Sequence, residues 1–325
     1  MAISSHNLPT VGITIGDAAG IGPEITLKAI AHESVRAACR CVLIGDGALL
    51  RGLAAKLGVA LNDIDIIDLN NLPSEFEIGV DAAVTGKASA EYIVKAVELW
   101  REGEIDAICT APISKKAIAL GGYNYPGHTE FIAELTETTD FRMSFFADKL
   151  RVVLLSTHLP LTKAIERVKA AALVDLIGFA DREIGKLLGR DISIAVAGLN
   201  PHASEGGMFG SEEHDEIIPA IEQCKSTGIN VSGPYSPDTI FGRCAGGEFD
   251  AVIALYHDQA TIAVKSLAFG SGVNVTLGLP LIRTSVDHGT AYDIAGKGVA
   301  DESSLIAAIK LAADLANQSQ DRGSI

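Results

Sequence analysis

Short apolar runs alternate along this chain with longer segments whose hydrophobic positions recur at helical spacing. Residues 11–15 (VGITI), 41–45 (CVLIG), 64–67, the DAICTAP segment, 152–155, 192–197 and 251–255 read as strands. They are apolar throughout, as strands covered on both faces of a parallel sheet are. Between them, 25–30, 48–57, 88–101, 131–135, 161–188, 213–226 and 302–316 read as helices, with Ile93, Val94, Ala96, Val97 and Trp100 on one face of the 88–101 helix. Pro23 suits a first helical position after the glycine-rich turn GDAAGIGPE, and the polar tail ANQSQDRGSI predicts a frayed end. Strand and helix in alternation predict an α/β fold with mainly parallel sheets and right-handed crossovers.

Three of the apolar runs stop on a histidine at a turn: LRVVLLSTH at His158, DISIAVAGLNPH at His202, and FDAVIALYHD at His257. Open α/β sheets place ligands outside the carboxyl ends of their strands, so three imidazoles delivered there suit one divalent metal. A strand-end histidine also serves as a simple turn or capping group. Asp258 follows His257 directly, and Asp238 lies in GPYSPDTIF; either suits a metal shell or a proton transfer, and an Asp in such a turn also makes Asx turns.

The 325 residues are 48% hydrophobic and 21% charged, enough for two ordinary domains. A formal charge of −15 argues against nucleic acid or an anionic membrane as the main partner, while a few focused cations still admit a small anionic substrate. MAISSHNLPT has no basic or apolar leader character and no long apolar segment occurs, which gives a cytoplasmic expectation. Cys39, Cys41, Cys109, Cys224 and Cys244 show no zinc spacing and read as reduced thiols.

A cationic group follows His257, with Lys265, Asn274 and Arg283 in one stretch, and GHTE adds His128 and Thr129. Arg offers a bidentate fork, Lys a point charge, and Thr and Asn neutral hydrogen bonds, a set that fits a phosphorylated hydroxy acid. In SVDHGTAYDIAGKGVADESS the small residues Gly289, Ala291, Gly296 and Gly298 let backbone approach a ligand, and Asp293 suits a ribose or the loop itself. GITIGDAAGIG does not spell the dinucleotide fingerprint, and VTGKAS has Ala88 where a P-loop needs Ser or Thr.

Taken in order, GDAAGIGPE, TAPISKKA, YPGHTE, STHLPL, GLNPHASEGGMFGSEE, GPYSPDTIF, YHDQ and VNVTLGLPLIRTSVDHGTAYDIAG resemble the 4-hydroxythreonine-4-phosphate dehydrogenase family of vitamin B6 biosynthesis, with its 4-phospho-threonate and 4-phospho-erythronate paralogues. The resemblance spans nearly the whole chain. It implies a metal on His158, His202 and His257, and a substrate held by His128, Thr129, Lys265, Asn274 and Arg283. It also implies a homodimer whose metal site takes ligands from both subunits. HGTAYDIAGKGVA is similar to the adenine-side loop of isopropylmalate and isocitrate dehydrogenases, which implies NAD or NADP near His288, Gly289, Ala291 and Asp293 despite the missing fingerprint.

The implied architecture is two α/β/α domains around a central cleft. The nucleotide side comprises 1–125 plus 255–325, and the metal and dimerisation side 126–254. Three positions depart from the family pattern: Ala18 where Pro is usual, Ser204 where the biosynthetic enzymes have Gly, and Ala260 where Gly is commoner. The expected reaction is metal-dependent oxidation of a secondary alcohol on a 4-phosphorylated four-carbon acid, followed by loss of CO2 from the β-keto acid. Zn is the most natural metal, with Co, Mg or Mn admitted. Lys115, Asp238 and Asp258 are candidates to move the proton, Lys115 first. A cis-dihydrodiol dehydrogenase of an aromatic acid and a metal-dependent lyase or aldolase without nicotinamide are the alternatives.

Overall fold

A computed structural model describes residues 8–268 and 270–323. Its strands are β1 Thr10–Thr14, β2 Arg40–Gly45, β3 Asp65–Asp68, β4 Ala107–Thr110, β5 Arg142–Ala147, β6 Leu150–Leu154, β7 Ile194–Ala197, β8 Val231–Tyr235, β9 Ala251–Ala254, β10 Val273–Leu277 and β11 Ile282–Ser285. The helices are α1 Gly22–Ala31, α2 Glu33–Arg36, α3 Gly47–Leu57, α4 Ala83–Arg101, α5 Lys115–Leu120, α6 His128–Leu135, α7 Leu161–Glu166, α8 Ala170–Leu188, α9 Ile218–Ser226, α10 Ile240–Ala245, α11 His257–Leu267 and α12 Ser303–Gly323. The fold is α/β. Among the described residues, no helix is long and apolar enough to cross a membrane. Residues 1–7, residue 269 and the last two residues lie outside the described part of the chain.

Two compact units divide the chain. The first, Met1–Phe141 with Leu279–Ile325, has strand order β3-β2-β1-β4-β11, every neighbour parallel. Val11, Ile13, Leu43, Ile44, Ala107 and Ile108 are fully or almost fully buried in it, which is why these strands carry no polar alternation. Pro23 stands in the first turn of α1, as expected. Gly22 is required there, because a Cβ would lie 2.2 Å from the Ile15 carbonyl oxygen. Close approach also explains Gly86 of α4, where a Cβ would fall 1.8 Å from the Ala117 carbonyl oxygen of α5.

The second unit, Arg142–Gly278, has strand order β10-β5-β6-β9-β7-β8. The step from β6 through β9 and β7 to β8 is parallel, whereas β5 pairs antiparallel with both β6 and β10. A tight turn at Asp148, φ 50°, makes β5 and β6 a hairpin. The expected domain divisions at 125 and 254 lie away from the contact boundaries. Helix α6 packs on α4, so 126–141 belong to the first unit, and α11 packs on β5 and β6, so 255–278 belong to the second.

The segment read as one helix over 161–188 is two. Lys169 is extended, and the Glu216 carboxylate takes the first backbone N–H of α8, Ala170 N, at 2.8 Å while pairing with Lys169 at 2.7 Å. Residues 213–226 likewise begin as a wide turn, Glu213–Ile217, before α9, whose first turn holds Pro219. The terminal helix continues to Gly323 instead of fraying after Ala316. All five cysteines are buried and free, as expected.

Candidate active site

The three histidines follow the carboxyl ends of β6, β7 and β9, which are neighbours in the second unit's sheet in the order β6-β9-β7. Buried side chains cross-brace these ends. Ser156 Oγ donates to the Leu255 carbonyl at 3.0 Å. Gln259 accepts from Leu255 N at 2.7 Å through Oε1, and donates through Nε2 to the Gly198 carbonyl at 2.8 Å. The brace runs from the end of β6 to the end of β7 and uses none of the imidazoles.

His158 and His257 come side by side, with ring centroids 5.7 Å apart, at a cavity of about 250 Å3 lined also by Thr157, Leu159, Tyr256 and Asp258. His257 opens α11, and its Nδ1 lies 2.7 Å from Asp258 Oδ1. A carboxylate on one ring nitrogen leaves the other for a ligand, the arrangement common behind metal-bound imidazole. The donor chemistry of this pair fits a borderline-soft divalent ion. His202 does not complete the set within one chain, because it stands on the exposed left-handed turn Pro201–Gly207, and among the described residues no three His, Cys, Asp or Glu side chains gather closely enough to hold a metal. Asp238 is exposed; the Ser236 hydroxyl, then a backbone N–H, hold its carboxyl below the usual range.

In the first unit, Arg283 of β11 is only 3% exposed, and its Nη2 donates to Thr110 Oγ1 at 2.8 Å. Nη1 reaches Thr129 Oγ1 at 3.5 Å. Burial pushes the guanidinium down from 12.5 to about 10. His128, at the start of α6, is held well below its ordinary value by burial and then by Arg283, so it is neutral, and its Nε2 is buried without a hydrogen-bond partner. A desolvated cation, a neutral imidazole with an orphaned nitrogen and two hydroxyls form a receptor for an oxyanion. Lys115, exposed at the start of α5, lies near Gly127, the residue before His128: a Cβ on Gly127 would fall 3.9 Å from Lys115 Cε. Lys265 on α11 and Asn274 on β10 belong to the second unit, and the Asn274 Oδ1 atom is buried without a hydrogen-bond partner.

The loop with His288, Gly289, Ala291 and Asp293 is fastened to the turn after β1. Ile21 N donates to the Thr290 carbonyl at 3.0 Å. Tyr292 Oη donates to Asp17 Oδ2 at 2.7 Å, with Asp81 Oδ1 at 3.2 Å. Ser114 also bonds to Asp81, and with Lys116 and Tyr292 this keeps that carboxyl below its ordinary value. Ala291 has φ 43°, and a Cβ on Gly289 would meet nothing within 4 Å, so the backbone there is open on one side. His288 Nδ1 lies 3.1 Å from the Gly289 carbonyl, and Asp293 is exposed. Sequence reasoning missed Asp17, Asp81, Ser156, Glu213, Gln259 and Tyr292. All but Asp81 fell inside motifs that had been singled out, where neighbouring residues drew the attention.

The family model described as "Pyridoxal phosphate biosynthetic protein PdxA" matches residues 37–312. The D-threonate 4-phosphate dehydrogenase of Cupriavidus necator is 45% identical over 330 residues, covering 97% of this chain and 99% of that one. The 4-hydroxythreonine-4-phosphate dehydrogenase of Desulforapulum autotrophicum is 46% identical over 326 residues, covering 95% and 96%. Among solved structures, 4-hydroxythreonine-4-phosphate dehydrogenase from Klebsiella pneumoniae matches with a TM-score of 0.87 and 39% identity, over 95% of this chain and 99% of that one.

Proposed function

The chain belongs to the pyridoxal phosphate biosynthetic protein PdxA family, and from that membership we propose that it is a dehydrogenase of a 4-phosphorylated four-carbon hydroxy acid, coupled to NAD or NADP and to a divalent metal. The observation that carries the reading is the buried receptor of Arg283, His128, Thr129 and Thr110, which suits a phosphate or carboxylate and little else. Arg283 neutralises the anion there, and His128, being uncharged, hydrogen-bonds without competing for it. Lys265 and Asn274, the other members of the substrate set read from the sequence, belong to the second unit.

His158 and His257 would hold the metal, with Asp258 fixing the His257 ring, and His202 of a second copy would supply the third imidazole in a homodimer. The loop 288–293, fastened by Tyr292 and Ile21, would hold the dinucleotide. A bound divalent metal would polarise the substrate hydroxyl, and a bound nicotinamide would accept the hydride. Lys115 is the first candidate to receive the hydroxyl proton, since it lies near Gly127 beside His128 while Asp238 and Asp258 stand beside histidines. The β-keto acid so formed loses CO2.

The test is NADH formation with 4-phospho-D-threonate, 4-phosphohydroxy-L-threonine, 4-phospho-D-erythronate and an aromatic cis-dihydrodiol side by side, with and without added Zn or Co. Turnover of a phosphorylated acid that stops on chelation is expected. Turnover of the dihydrodiol alone, or of none while calorimetry detects no dinucleotide binding, overturns the reading.

A further inference from the structure

Between β7 and α9 the chain holds a backbone conformation that L-residues avoid. His202, Ala203, Ser204 and Glu205 have φ of 53°, 51°, 66° and 45°, and Gly206 follows at 67°. Single left-handed residues with side chains are uncommon, and several in succession persist only where their surroundings over-determine them. Here the surroundings are Glu213, 1% exposed at the start of the wide turn before α9. Its Oε1 accepts from Leu199 N at 2.8 Å and Asn200 N at 2.7 Å, and its Oε2 accepts from Asn200 Nδ2 at 2.8 Å. Asn200 Nδ2 also donates to Glu212 Oε2 at 2.8 Å. On the other side Gly198 lets the turn close, since a Cβ there would lie 2.9 Å from Ala203 Cα.

One buried carboxylate thus holds both backbone N–H groups and the side chain that lead into the left-handed turn. We propose that Glu213 is a positioning residue that locks this turn so that His202 is presented for metal binding, an inference that rests on the metal reading above. Neutral Gln would keep one acceptor oxygen but aim an amide N–H at Asn200 Nδ2, which is already engaged with Glu212, so the clamp opens.

Two readouts on the full-length protein, neither of them activity, test this. Amide hydrogen exchange of the metal-free protein is followed at residues 199–207, and Co(II) affinity is measured in competition with a chromophoric chelator. Glu213→Gln is expected to lower protection across the turn at least tenfold and to weaken Co(II) binding by roughly tenfold to a hundredfold. Asn200→Ala, which removes only the side-chain arm, is expected to move both readouts less and in the same direction, and it serves if the first variant does not fold. A folded Glu213→Gln protein with unchanged Co(II) affinity overturns the proposal even if its melting temperature falls, because a scaffold role alone predicts that. If the wild type takes up no Co(II), the metal reading fails by itself, and exchange still decides the clamp: unchanged protection at 199–207 refutes it.

Discussion

Replacing Arg283 by Met should leave the ligand-free protein at least as stable while it loses its hold on anions. The guanidinium sits in a parallel strand at 3% exposure, and burial brings it from 12.5 down to about 10. At neutral pH the group is charged in both folded and unfolded chains, so the difference measures the penalty for burying the charge, about 3 kcal/mol. Met has a similar reach and no charge to desolvate. Against this gain stands the loss of the charge-assisted bond to Thr110 at 2.8 Å, about 1.5–3 kcal/mol. The variant without ligand is then as stable as wild type or more stable by up to about 1.5 kcal/mol. Each charge-assisted bond to an oxyanion contributes about 1.5–3 kcal/mol, so losing a bidentate pair weakens anion binding by roughly a hundredfold or more. Guanidinium chloride unfolding with and without inorganic phosphate measures both effects. A Met variant that is less stable than wild type without phosphate, yet gains as much from phosphate as wild type does, would refute the reasoning.

His128 makes a pH prediction. Its folded-state value lies well below 6.5, so below that pH the unfolded chain takes up a proton that the folded chain does not, and stability present above pH 6.5 is lost as the pH falls. His128→Asn should remove up to about 1.4 kcal/mol per pH unit from that slope, as read by urea melts across the acidic range. At Ser204, φ 66°, the hydroxyl accepts from Gly207 N at 3.1 Å. Ser204→Ala keeps the strain and loses the bond, costing about 1 kcal/mol, whereas Ser204→Gly also relieves about 1 kcal/mol of strain and should match wild type in unfolding midpoint. Equal midpoints for the two variants would show that the left-handed backbone carries no strain there, and an Ala variant equal to wild type would show that the hydroxyl contributes nothing. Gly86→Ala drives a methyl into the α5 backbone and should cost about 3 kcal/mol or more, seen as lost soluble expression or a large drop in melting temperature.

What the sequence disclosed follows from which interactions are local. Strands β1, β2, β4, β6, β7 and β9 were legible because burial on both faces leaves an unbroken apolar run. The RMSFFA segment of β5 and the VNVTL segment of β10 were not, because a reading built on strand–helix alternation expects a helix after each strand, and a hairpin closing at Asp148 supplies none. The break near Lys169 was hidden because its cause, Glu216, lies far along the chain. The same distinction governs the site. Strand-end histidines and the His128–Thr129 pair announce themselves by position and type. Gln259 and Ser156 acquire their roles only once β6, β9 and β7 are neighbours, Glu213 only when its turn folds back on Leu199 and Asn200, and Asp17 meets Tyr292 only through the closed fold. His202 was read correctly as a strand-end residue, but nothing in its sequence surroundings foretold the left-handed turn on which it stands.

The lateral ties from Ser156 through Leu255 and Gln259 to Gly198 have a consequence for how such a protein can change. Alignment of the three strand tips is the work of a hydroxyl and a carboxamide sealed beneath them, so the rings above carry no architectural duty. Exchanging an imidazole for another donor alters what the tips can grasp and leaves the tips where they were. If these rings hold an ion as proposed, its identity would be open to drift by single substitutions, whereas losing the carboxamide below would unsettle all three tips at once.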